Sequence, residues 1–300
     1  MFRHILVPLD GSQQAERILP FAQALAAAPD TDLVLLRVIP PDDKPSDRDT
    51  SAGHPTLRSE AMAYLTDVSE RLLPASTDRM VVEGESAHAI LGAIAARGID
   101  LIAMSTHGRS GIGRWIYGSV ADAVLRHAAV PVLLASSTMQ LTRWRTDRPL
   151  RLMVSLDYSA VSEAVLEPAC VLAATLKAEL ILLSVAPLLV TPEPYSGLYL
   201  AYDPEQDRSE RRAYLEGVAA KLRAQGLTVT VRDAFGLVDT EILGVAREEG
   251  ADLIALATHG NGGVTRLVMG STATSIVQRA AVPVLIVRPT DAGDEPGVTK

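Results

Sequence analysis

The chain is written twice, and this repeat limits what it can fold into more than any other feature. Ile5-Leu6-Val7-Pro8-Leu9-Asp10-Gly11-Ser12 matches Leu152-Met153-Val154-Ser155-Leu156-Asp157-Tyr158-Ser159. Leu35-Leu36-Arg37-Val38 matches Leu182-Leu183-Ser184-Val185, and Asp100-Leu101-Ile102-Ala103 matches Asp252-Leu253-Ile254-Ala255. Gly118-Ser119 recurs as Gly270-Ser271, and Val130-Pro131-Val132-Leu133 as Val282-Pro283-Val284-Leu285. Early matches lie 147 residues apart and late ones 152, so the second copy carries five extra residues between Pro187 and Asp252. A unit of this length is a whole domain, since solenoid repeats run only about 20–50 residues. The 300 residues therefore read as two domains, 1–139 and 149–290, with a polar and basic linker at 140–148 and a tail at 291–300. An apolar content of 48% is enough to give each domain its own core.

Within a copy the segments alternate in type. Apolar runs rich in Val, Ile and Leu at 3–9, 32–38, 78–83, 100–105 and 130–134 predict strands buried on both faces. A helix from Ser12 to about Ala28, and others at 56–73, 86–97 and 118–128, separate them, with Ser86 and Ser119 as candidate caps. Such alternation predicts an α/β fold, a parallel sheet with helices on both faces. In a doubly wound sheet the ligand sits beyond the strand C-termini, where the strand order reverses. Pro41 to Pro55 and Leu188 to Asp207 each follow a second strand and read as long loops at that end.

Several function classes are excluded. A net charge of −8 disfavours wrapping a nucleic-acid backbone. No stretch reaches the ~18 uninterrupted apolar residues of a membrane span. Met1 to Pro8 has neither the apolar length nor the cleavage site of a signal peptide, so the expectation is a soluble cytoplasmic protein. Cys170, the single cysteine, sits among Ala, Val and Leu as a core position. The chain has no Gly-x-x-x-x-Gly-Lys-Ser/Thr loop, and its first strand–helix turn has no Gly-x-Gly-x-x-Gly. Without a visible base, nucleophile or metal cluster, the chain reads as a binder and not an enzyme.

The turn after the fourth strand carries the chemistry. It runs Ser105-Thr106-His107-Gly108, nine residues, Gly118-Ser119 in the first copy, and Ala257-Thr258-His259-Gly260, nine residues, Gly270-Ser271 in the second. A glycine at a strand exit lets the backbone approach a ligand closely. The Gly-Ser pair opens the next helix, where unpaired N–H groups and the positive dipole end favour an anion. Arg114 and Arg266 share one register in the nine-residue loops, and either could reach a phosphate or stand as a solvated surface arginine. His107 and His259 read as turn histidines, and Trp115, Ile116, Tyr117, Leu267, Val268 and Met269 as packing residues.

This spacing resembles the Gly-x-x-Gly, nine-residue, Gly-Ser/Thr pattern of the universal stress proteins. Val7-Pro8-Leu9-Asp10-Gly11-Ser12, Leu35-Leu36-Arg37-Val38 and Ala129-Val130-Pro131-Val132 are similar to that family as well. The resemblance covers both halves. It implies two Rossmann-like, adenine nucleotide alpha hydrolase-like domains, each a five-stranded parallel sheet in the order 3-2-1-4-5. It implies ATP, or AMP or ADP, with Mg²⁺ on the phosphates. By that likeness Asp10 and Asp157 contact the adenosine part, while Val38 and Val185 offer backbone groups to adenine. Met104, Ser105, Leu256 and Ala257 line the strand exits. Gly108, Gly118, Ser119 and Val120 hold phosphates in one copy, as do Gly260, Gly270, Ser271 and Thr272 in the other. Both copies depart from the pattern at its first glycine, which is Ser105 or Ala257; a Cβ there matters only if positive φ is required or the residue touches the ribose.

The function implied is a regulatory, stress-response nucleotide binder. A nucleotide-free interaction scaffold of the same fold, or a very slow ATPase, is the alternative. The apolar fifth strands would be hazardous as exposed edges, so the two copies are expected to pack through them as an intramolecular pseudo-dimer. A homodimer of the whole chain is compatible with this reading.

Overall fold

In the computed structural model, residues 1–41, 57–72, 75–106, 118–140, 143–187, 204–258 and 269–289 are described. Gly108, Arg114, Gly260 and Arg266 lie outside them, as do His107, His259, most of both long loops and the tail. The first half supplies β1 (His4–Leu9), β2 (Asp32–Ile39), β3 (Ser76–Glu83), β4 (Leu101–Ser105) and β5 (Val132–Ala135). The second supplies β6 (Arg151–Ser155), β7 (Glu179–Pro187), β8 (Val229–Gly236), β9 (Leu253–Ala257) and β10 (Val284–Val287). They join into one sheet in the order β3-β2-β1-β4-β5-β10-β9-β6-β7-β8. Each half is thus a 3-2-1-4-5 array, parallel throughout.

The halves meet where β5 and β10 pair antiparallel, Val132 opposite Ile286, Leu133 opposite Leu285 and Leu134 opposite Val284. Leu133 and Leu285 are repeat equivalents, so a pseudo-twofold axis passes between them. What would be two apolar edges becomes the centre of a continuous sheet.

Side chains alternate across the strands, and the sheet separates two apolar layers. Ile5, Val7, Leu33 and Leu35 face a core built with α1 (Gln13–Glu16), α2 (Leu19–Leu25), α3 (Leu57–Arg71), α7 (Leu166–Leu176) and α8 (Pro204–Ala224). Leu6, Val34 and Leu36 face the other, with α4 (Ser86–Arg97), α5 (Ser119–His127), α9 (Val238–Glu248) and α10 (Ser271–Arg279). The remaining helix, α6 (Ala160–Glu163), mirrors α1.

Three expectations are corrected. The helix expected from Ser12 to Ala28 is two helices, because Pro20 has no N–H to donate to the carbonyl of Glu16. Neither Ser86 nor Ser119 is a cap: Glu85 accepts the N–H groups of Ala87 and His88, and α5 starts on Gly118 with no side-chain cap. The loop expected to run to Asp207 ends earlier, since α8 begins at Pro204, which suits a helix start. The linker makes contacts with both halves. Trp144 is buried, stacks edge-on against Phe21 at 5.2 Å and donates its Nε1–H to the carbonyl of Asp252 at 3.1 Å. Arg148 grips the Asp252 carboxylate at 2.8 and 3.1 Å, and Arg17 donates to the carbonyls of Ser137 and Met139. Cys170 lies half-buried against the first core, and burial raises its thiol pKa. Among the described residues no helix is long and apolar enough to cross a membrane.

Candidate functional site

The chain leaves β1 at Leu9 while β2 runs on to Ile39, since the last paired residues are Leu9 and Arg37. Polar groups of successive strand residues point to opposite sides. The carbonyl of Ile39 accepts from Gly84 on the β3 side at 3.0 Å. The carbonyl of Val38 therefore faces the other way, into the space that β1 has vacated. On the far side of that space β4 ends and α5 begins. A cavity of about 320 Å³ fills the gap, lined among others by Asp10, Val38, Met104, Ser105, Ser119 and Val120. It sits at the strand C-termini where the order reverses, the place the topology favours for a ligand.

Each end of the cavity has its own chemistry. At the β2 end a strand edge presents a carbonyl beside apolar Ile90 and Met104. At the other end α5 opens with no side-chain cap among the described residues, and its first turn lines the cavity with the positive end of the helix dipole. Asp10 stands between. Its Oδ1 accepts the Ser12 N–H at 2.9 Å and hydroxyl at 2.6 Å, and the Ser12 hydroxyl in turn caps α1. The aspartate is thus both a helix-start residue and part of the cavity wall.

Two expected site residues are engaged elsewhere. The Gly118 N–H donates to the carbonyl of Thr106 at 2.9 Å, so Gly118 shapes the turn and leaves donation to Ser119 and Val120. The Ser105 hydroxyl donates to the carbonyl of Ala15 at 3.3 Å. Neither Ser105 nor Ala257 has positive φ, so the backbone does not require glycine at the pattern's first position here.

The second half repeats the arrangement with a cavity of about 450 Å³, which brings together Asp157, Val185, Leu256, Ala257, Gly270, Ser271 and Thr272. Asp157 takes the N–H and hydroxyl of Ser159, and Gly270 donates to the carbonyl of Thr258 at 2.9 Å. Helix α10 likewise starts uncapped. Behind the clefts, Tyr64 donates to Glu16 and Tyr214 to Glu163, at 2.9 and 2.7 Å, and burial with the adjacent carboxylate raises both phenol pKa values.

Two lining residues were not singled out in the sequence. Arg211 of α8 enters the second cleft, where Asp207 holds it at 2.8 and 3.1 Å and its Nη1 donates to the carbonyl of Val185 at 3.4 Å. Tyr158 lies under that guanidinium, 5.1 Å from it, and against the Tyr214 ring at 4.6 Å. Burial raises its phenol pKa despite the nearby arginine. Arg211 sits in a highly charged helix and reads as solvated. Tyr158 shows one signal, since it stands where the first copy has Gly11. Among the described residues no group of three or more His, Cys, Asp or Glu converges to hold a metal.

Residues 1–136 and 150–288 each match the universal stress protein family. The chain is 31% identical over 147 residues to universal stress protein YxiE of Bacillus subtilis, spanning 46% of this chain and 98% of that one. It is 25% identical over 196 residues to a universal stress protein of Mycolicibacterium smegmatis, spanning 65% of this chain and 64% of that relative's length. Among solved structures, a universal stress protein of Archaeoglobus fulgidus superposes with a TM-score of 0.67 at 22% identity, covering 96% of this chain and 97% of that one. Twin cavities on a duplicated sheet and a match repeated over both halves place this chain in the universal stress protein family, as a tandem of two such domains.

Proposed function

We propose that the first cleft binds an adenine nucleotide, ATP or a shorter relative, and that the chain acts as a nucleotide-responsive regulatory module and not as an enzyme. The observation that carries this reading is one cavity joining an outward strand-edge carbonyl to an uncapped helix start. Adenine brings an exocyclic amine that can donate to the Val38 carbonyl, and an apolar ring face suited to Ile90 and Met104. Phosphates bring negative charge to the amides of Ser119 and Val120 and to the Ser119 hydroxyl. Asp10 is placed for the adenosine part between them. Mg²⁺ would travel on the phosphates, an arrangement that needs no protein cage. Bound nucleotide would bridge the β2 end and the α5 end, and so favour one arrangement of the surface around the cleft for a partner to read.

Titration calorimetry with ATP tests the proposal. The expected result is saturable binding, with ITP at least about tenfold weaker because its base carries a carbonyl where adenine has the amine. Absence of binding at millimolar ATP would end it.

A further inference from the structure

The two clefts differ where the base would sit, and the difference is built from three exchanged positions. Gly11 in the first half becomes Tyr158, Arg37 becomes Ser184, and Ala61 becomes Arg211. The last pairing follows from Tyr64 and Tyr214, three residues further on, which make the same bond to the equivalent glutamates. Each half therefore has one arginine here, delivered from the strand in the first and from the helix in the second. The exchange changes which carbonyl the guanidinium meets. Arg37 donates to the carbonyl of Leu9, at the end of β1. Arg211 donates to the carbonyl of Val185, the repeat equivalent of Val38.

We propose that Arg211 and Tyr158 make the second cleft reject the adenine pose open to the first, so that the tandem takes a single adenine nucleotide per chain. This rests on the first cleft being a nucleotide site. The Val185 carbonyl, the acceptor an adenine amine would need, already has a donor. Displacing it would take Arg211 away from the Tyr158 ring while Asp207 still holds it. Arg211 is only 14% exposed, which limits the water that could replace its lost partner. Tyr158 holds φ of 70°, a strained value for an aromatic residue that Gly11 adopts freely at 80°. Its ring lies between Arg211 and Tyr214, and its hydroxyl is buried without a hydrogen-bond partner among the described residues. In the first half the corresponding region is instead a cavity of about 280 Å³ beside Gly11, Ala61 and Tyr64. The larger volume of the second cleft does not remove the obstacle, because Arg211 and Tyr158 themselves line it.

The test is stoichiometry by equilibrium dialysis with labelled ATP on the full chain. Wild type should bind about one nucleotide per chain, and Tyr158→Gly with Arg211→Ala about two, the second at least about tenfold tighter than any residual wild-type second site. Tyr158→Gly relieves a strained backbone but leaves space beside Tyr214, so Arg211→Ala alone is carried too, with circular dichroism to confirm folding. The gained site should favour ATP over ITP, which a merely loosened cleft would not do. Two equal sites in wild type would overturn this inference and leave the binding proposal standing. A folded double variant that stays at one site would also overturn it. Binding by the double variant alone would sustain the block and overturn the reading of the first cleft, and binding by neither would sink both.

Discussion

A side chain at a turn matters through its dihedral angles before its chemistry. Ser105 stands where the family pattern has glycine, yet it sits in β4 without positive φ, and its hydroxyl bonds to the Ala15 carbonyl between β4 and α1. Restoring glycine there offers a ligand nothing new and removes a tertiary bond. We expect Ser105→Gly to lower stability by about 1 kcal/mol and to leave ATP affinity within about threefold. Urea unfolding and calorimetric titration of the same variant check both halves of this expectation. A large gain in affinity would show that the Cβ obstructs the ribose after all. Tyr158 is the opposite case, a residue whose backbone pays a conformational penalty while its ring fills a place that is open in the other half.

Helix α5 separates the contributions of backbone and side chain to anion binding. Gly118, its cap, has φ −57° and ψ 143°, the extended geometry that a residue before proline requires. Ser119 is the first helical residue, where proline is well tolerated because that N–H has no intrahelical partner. Ser119→Pro should therefore keep the fold, remove one amide and the hydroxyl, and weaken ATP by about 10–100-fold, in line with loss of a charge-assisted hydrogen bond. Ser119→Ala, which keeps the amide, should lose less. Equal losses in the two variants would assign the whole effect to the hydroxyl. The same element shows what the sequence could reveal. Its start and the strand before it were legible from Gly118-Ser119 and the run Leu101 to Ser105, because apolar runs and turn residues act locally. The use of the Gly118 amide was not, since it depends on where the Thr106 carbonyl points across a turn. Arg211 escaped notice for a similar reason: one arginine among many in a charged helix reveals its inward direction only when β7 is placed beside it.

At the scale of the whole molecule, the two halves are joined by a short sheet seam, by contact of α2 with α7, and by the linker. The β5–β10 seam pairs only Leu133 and one residue on either side of it with the second half. The stretch read in sequence as a polar and basic linker supplies a further attachment. Its aromatic residue had no periodic pattern to mark it as core, but the fold gives it a socket made by both halves. Trp144 packs on Phe21 of the first and donates to Asp252 of the second, which also binds Arg148. Removing a buried indole in such a place costs about 3–5 kcal/mol. The loss falls on the junction, because Trp144 touches both halves. In scanning calorimetry we expect the wild-type chain to unfold in one transition and Trp144→Ala in two. Trp144→Phe should fall between, since it keeps the ring contact with Phe21 and loses only the donor to Asp252. A Trp144→Ala chain that still melts as one unit at the wild-type temperature would mean that the antiparallel seam and the α2–α7 contact couple the halves without the indole.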